Sequence, residues 1–206
     1  TIDENRDLLS LRGLQNLTLV GDALTISHHS SLRSLEGLDR LAEVRGDLVL
    51  ETNSSLSNLT GLEPLAEVGR ALRVEGNDSL VALTGLEGLT SVAGDLRIGA
   101  NGRLSDLSVL AGLTAVGGDL VVHWNDVLAD LDGLGGLTEV GWNLDISGNS
   151  MLSDLSGLHG VEQIGYSLRV TDNPCVTEAE AEALRDAIGE ENIGRPVTLS
   201  GNGGGC

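Results

Sequence analysis

The chain has 206 residues, a formal net charge of -19, 40% hydrophobic and 1% aromatic residues, and no Phe. All 12 basic residues are Arg, so a phosphate-binding face is disfavoured and nucleic acid is not an expected partner. No apolar run reaches the roughly 18 residues that a membrane crossing requires, and Leu, Val, Ile and Ala must supply the core.

Residues 1–7, beginning Thr1-Ile2-Asp3-Glu4, read as a short N-terminal lead-in. An opening without Met is expected where an export signal or a longer upstream region has been removed.

From Leu8 the chain steps by 24: Leu8, Leu32, Leu56, Leu80, Leu104, Leu128 and Leu152 hold one position in seven successive copies, without an insertion or deletion. The columns that begin at Leu11, Leu14 and Leu24 are likewise leucine in every copy. The column from Val20 to Ile164 is otherwise Val, and the column from Ile26 to Val170 is β-branched except at Leu50. Residues 8–175 therefore form one repeat array and a single domain. Inside each copy the L-x-I pair alternates with period two, which predicts a short strand with both side chains inward. The preceding run, L-x-x-L-x-x-L-x-x-L-x-x-V, has period three and predicts tight extended or 3₁₀-like turns. One copy cannot bury its apolar side alone, so the copies must stack with parallel strand pairing. The fold expected is a mainly β, parallel β-solenoid of seven coils, roughly 34 Å long at one layer per strand spacing.

After each strand comes a polar column: His29, then Asn53, Asn77, Asn101, Asn125, Asn149 and Asn173. An inward amide ladder is expected, because a turning coil leaves backbone groups that need partners. The acceptor patterns Asn53-Ser-Ser and Asn77-Asp-Ser would then be buried and unavailable for glycosylation. The column Asp106, Asp130, Asp154 invites a calcium reading, but its earlier members Ser10, Ser34, Asn58 and Ala82 favour turn capping.

Residues 176–206 depart from the repeat. Thr177 is a suitable N-cap, glutamates fill the next turn, and Gly189 is a stop, so a capping helix is predicted over about 178–188. Arg195 to Asn202 replays the strand motif, with a strand expected over about 197–200. Cys175 and Cys206 bracket this cap, and a disulfide between them would place the protein outside a reducing cytosol. Two free thiols are the alternative.

The run Leu-x-x-Val-x-Gly-x-Leu-x-Ile-x-x-Asn-x-x-Leu, complete from Leu89 to Leu104, resembles the receptor L domain, the ligand-binding repeat of insulin and epidermal growth factor receptors. The L-x-I-x-x-N core is also similar to leucine-rich repeats. The resemblance covers residues 8 to about 176 and implies a right-handed β-helix with an exposed sheet used for recognition outside the cell. Similar repeats occur in exported or lipid-anchored bacterial proteins, which agrees with the Lys-free composition. Receptor L domains carry irregular coils at their ligand faces, and this chain has none.

On the strands, residues flanking the inward Ile column should point outward. Arg73, Arg97, Val121, His123 and the adjacent Trp124 would share one face, a patch suited to a carboxylate-bearing or carbohydrate partner. The alternative is a solvated sheet with Arg73 and Arg97 paired against Glu51 and Glu75. Trp142 and Tyr166 hold one repeat position a layer apart and should stack, either covering backbone or forming a sugar platform. His28, His29, His123 and His159 fall in different columns, and no nucleophile elbow, phosphate loop or Cys/His metal spacing occurs. No catalytic residue, metal or cofactor is expected. The function expected is an extracytoplasmic recognition module for a protein or glycan, with any membrane tether outside the given chain. A structural spacer rod is the alternative, and a polysaccharide-acting enzyme a distant third.

Overall fold

The structure, a computed structural model, describes residues 1–203 and 206. Each copy of the repeat winds once around a common interior and lays down a longer and a shorter strand. The longer ones, of four residues, are β3 (Leu24–Ser27), β5 (Leu48–Glu51), β7 (Leu72–Glu75), β9 (Leu96–Gly99), β11 (Leu120–His123), β13 (Leu144–Ser147) and β15 (Leu168–Thr171), flanked by β1 (Ile2–Asp3) before the array and β16 (Thr198–Ser200) after it. They form one nine-stranded parallel sheet in chain order. The shorter ones are β2 (Leu19–Val20), β4 (Glu43–Val44), β6 (Glu67–Val68), β8 (Ser91–Val92), β10 (Ala115–Val116), β12 (Glu139–Val140) and β14 (Gln163–Ile164), and they form a seven-stranded sheet.

The repeat length sets the register. Leu48 lies opposite Leu72, Leu72 opposite Leu96, and Leu96 opposite Leu120, so each partner sits one copy along. Every apolar column therefore becomes a stack of like on like, and from Leu32 to Leu168 those side chains are buried. Each fully buried leucine contributes about 2 kcal/mol. Residues 1–7 are more than a lead-in, because Ile2 pairs with Ile26 in the same frame. That end has no plug among the described residues: Leu8, Leu14, Leu17 and Val20 are only partly buried, and Leu9 is 72% exposed.

The period-three segment takes two forms. In the first four coils Gly13, Gly37, Gly61 and Gly85 sit at φ between 113° and 122°, a region that favours glycine. Each of these N–H groups donates to the side chain two residues on, Gln15, Asp39, Glu63 and Glu87. The fifth copy has Val109 in the glycine column, which a β-branched residue cannot occupy at that φ. From there the segment is a 3₁₀ turn, at Ser108–Gly112, Asp132–Leu134 and Ser156–Leu158. Its first turn is capped from the other side: Asp106, Asp130 and Asp154 accept the N–H groups of Ser108, Asp132 and Ser156. The aspartate column is thus a set of caps.

The C-terminal cap is α1 (Glu178–Ile188), with Thr177 accepting the Glu180 N–H at its start. Ala181, Leu184 and Ile188 turn inward and close the last coil together with Val176 and Ile193. The chain then adds β16 beside β15, with Leu199 opposite Val170. A Cys175–Cys206 disulfide, with Cα atoms 5.2 Å apart, ties the end of the cap to its beginning.

Candidate recognition face

Side chains alternate along β3 to β15, so the nine-stranded sheet buries its leucine and β-branched columns and presents two others outward. Arg73, Arg97 and Val121 lie on neighbouring strands of that outer surface, Arg73 directly opposite Arg97 and Arg97 opposite Val121. His123 ends the same strand as Val121, and Trp124 follows it at 62% exposure.

His123 and Trp124 are seated by missing side chains. Gly99 has no Cβ, and the His123 ring occupies the space one would fill. The ring therefore reaches across a whole layer, and Nε2 lies 3.0 Å from Glu75 Oε1. Trp124 leans the other way, over Gly148. The two rings meet at 4.8 Å between centroids with a 54° tilt.

The arginines do not pair as the solvated-sheet alternative requires. Arg97 Nη2 lies 3.1 Å from Asp95 and 3.3 Å from Asp119, not against Glu51 or Glu75, because the column before each strand carries the nearer carboxylates. Burial raises the Asp95 carboxyl, but the Asp119 N–H and the Arg97 guanidinium outweigh it and hold the group below the ordinary carboxylate range. Arg73 is exposed and makes no salt bridge among the described residues. A shallow groove of about 270 Å³ begins at Arg97 and is lined further by Asp119, Val121, Asn143, Asp145 and Arg169 among others. Arg97 Nε and Asp145 Oδ1 are buried there without a hydrogen-bond partner.

Trp142 and Tyr166 stack at the corner before the strand, 6.1 Å between centroids and 25° between planes. The Arg195 guanidinium lies 5.2 Å over the Tyr166 ring from the cap side. Each ring thus turns one face to the other, and Tyr166 is further covered by Arg195. The outer part of Trp142, 59% exposed, remains open. This corner precedes β13 and β15, at the opposite end of the strands from Trp124, which follows β11.

The amide ladder is in place and entirely interior. Asn53, Asn77, Asn101, Asn125, Asn149 and Asn173 are fully buried, so the two acceptor patterns at Asn53 and Asn77 are out of reach. Each Oδ1 accepts the backbone N–H of the rung before it, as Asn101 does from Asn77, and each Nδ2 donates to a strand carbonyl, as Asn101 does to Val74. Sequence reasoning missed a further rung. Asn202 accepts the Asn173 N–H and donates to the Val170 carbonyl. The signal was the Ser-Gly-Asn echo of the repeat at 200–202, which also occurs at 147–149. The residue before each rung is left-handed: His28, Thr52, Gly76, Ala100, Trp124, Gly148, Asp172 and Gly201 lie at φ between 51° and 70°.

No family model matches this chain, no curated protein matches it, and no solved structure matches it. Among the described residues no helix is long and apolar enough to cross a membrane.

Proposed function

We propose that the chain is an extracytoplasmic recognition module that takes a protein or glycan partner on the outer surface of its nine-stranded sheet. The carrying observation is the exposed Trp124, held against His123 by two glycine vacancies, with the exposed, unbridged Arg73 two strands away on the same sheet. A large exposed ring on a fixed seat offers contact area with little ordering loss. Arg97 already shares its charge with two carboxylates, so Arg73 is the cation available to a carboxylate or to sugar hydroxyls. The Cys175–Cys206 disulfide supports an oxidising location. The likeness to receptor L domains in the sequence points the same way.

A spacer rod is the second reading, favoured by the constant register and the absence of elaborated loops between coils. A glycan and surface-protein array probed with the disulfide-linked protein separates the two. Saturable binding that Arg73→Ala or Trp124→Ala abolishes, with thermal unfolding unchanged, is the expected result. Silence from a folded sample would leave the rod.

A further inference from the structure

Besides Asn53 and Asn77, the chain holds two more N-x-[ST] acceptor patterns, Asn16-Leu17-Thr18 and Asn58-Leu59-Thr60. The fold treats the four differently. Asn53 and Asn77 are buried rungs of the ladder, and their hydroxyl partners Ser55 and Ser79 donate to the carbonyls of Ser30 and Ser54. Asn58 is half-buried with its amide engaged at both ends. Its Oδ1 accepts the Thr60 N–H at 3.1 Å, and its Nδ2 donates to Ser57 Oγ at 3.2 Å. Asn16 alone of the four is exposed.

Asn16 sits in a turn closed by the Leu17 N–H on the Leu14 carbonyl, and the chain enters β2 at Leu19. Leu17 packs against the core, whereas Asn16 and Thr18 on either side of it are exposed. Thr18 heads a column in which Thr90, Thr114 and Thr138 each donate their hydroxyl to the backbone carbonyl 24 residues earlier, at 3.2 Å. Neither the Thr18 hydroxyl nor the Asn16 amide makes a hydrogen bond among the described residues, so both are free at once.

We propose that Asn16 is the acceptor of an N-linked oligosaccharide, and that the glycan shields the open edge of the array at β2. The proposal rests on the extracytoplasmic placement given above, where such transfer takes place. Transfer joins Asn16 Nδ2 to C1 of the first sugar of a polyisoprenyl-diphosphate-linked oligosaccharide. The C1–O bond to the diphosphate breaks, the diphosphate leaves with the electron pair, and the amide nitrogen gives up one proton. Thr18 supplies the hydroxyl that the acceptor pattern requires.

The edge beside Asn16 needs cover. β2 pairs on one side only, with β4, and its Leu19 is 37% exposed in a column that holds Glu43, Glu67 and Glu139 in other coils. An unpaired strand edge beside an exposed leucine invites pairing with another chain, and a bulky hydrophilic group in the adjoining turn opposes it. β2 belongs to the seven-stranded sheet, so the glycan leaves the outer surface of the nine-stranded sheet clear.

The test is secretion of the full chain, with an export signal supplied, from cells that perform N-linked transfer. Enzymatic release of glycans in heavy-oxygen water then leaves a labelled Asp wherever an Asn was occupied, which peptide mass spectrometry reads. In the disulfide-linked product the label is expected at Asn16 and nowhere else. Thr18→Ala should abolish it, and Thr18→Ser should retain it. Asn16→Gln, which lacks the glycan, should form dimers or larger species in sedimentation where the glycosylated wild type stays monomeric. An unlabelled Asn16, or a label at Asn53, Asn58 or Asn77 in that product, would overturn the site; equal self-association of the two chains would overturn the shield. Because export is imposed, these outcomes judge Asn16 and leave the recognition reading to the binding array.

Discussion

At the scale of single residues, the repeat runs on backbone conformations that most side chains avoid. The position before each rung is left-handed in every coil, yet it holds His28, Thr52, Ala100, Trp124 and Asp172 as well as glycine. Non-glycine residues accept that conformation at a cost of about 1 kcal/mol each, which the two hydrogen bonds of the following amide offset. The aspartate caps are the other local device. Asp106 is held below the ordinary carboxylate range by hydrogen bonds from the Ser108 side chain and N–H, and Asp154 by those of Ser156. Because the folded state lowers these groups, their contribution is fully present above about pH 4 and fades as pH falls through the lowered folded values. The stability difference between the wild type and an Asp106→Asn, Asp154→Asn double variant should therefore shrink between pH 6 and pH 3 in urea titrations. A difference that does not change with pH would remove charge from the account of these caps.

At the scale of elements, the ladder is the part of the coil with fewest substitutes. Asn125→Ala would orphan the Asn101 N–H and the Ile98 carbonyl, both interior. A loss of about 2–4 kcal/mol is expected from two unsatisfied buried groups. Chemical denaturation measures it, and a loss below about 1 kcal/mol would mean that water or a neighbour replaces the amide. This ladder was legible in the sequence because an unbroken Asn column next to an L-x-I strand has one economical explanation. The parallel register and the cap were legible for the same reason, the constant 24-residue step and the Thr177-to-Gly189 capping pattern. The change of turn was not read, although its sign was present: acids follow the glycine as Asp39, Glu63 and Glu87, then precede that column as Asp106 before Val109, Asp130 before Gly133 and Asp154 before Gly157. Arg97 was assigned the wrong partners because only the columns within the strand were weighed, and Asp95 and Asp119 stand just before it. The reach of His123 over Gly99 joins residues two coils apart, which no one-copy pattern reveals.

At the scale of the whole molecule, stability is a chain of nearest-neighbour terms, so the two ends fail first. The disulfide joins positions 31 residues apart and holds α1 and β16 in that span. The loop-entropy model gives it about 3.5 kcal/mol. Cys206→Ser should accordingly raise hydrogen exchange in α1 and β16 by orders of magnitude while leaving the coils near Leu83 and Leu107 protected. Uniform loosening of every coil would instead mean that the array unfolds as one unit.

Equal coils carry a hazard of their own. A nascent chain that skips one copy and pairs each strand with the next but one still sets leucine on leucine, so the apolar columns alone do not forbid a slipped stack with 24 residues looped out. The ring of His123 fits where Gly99 leaves room, and that of Trp124 where Gly148 does. Slipped by one copy, His123 would meet Glu75, and Trp124 would meet Asp172, instead of a glycine. These two fittings index the pile, and they make the least repetitive layer of the protein the one that tells its coils apart.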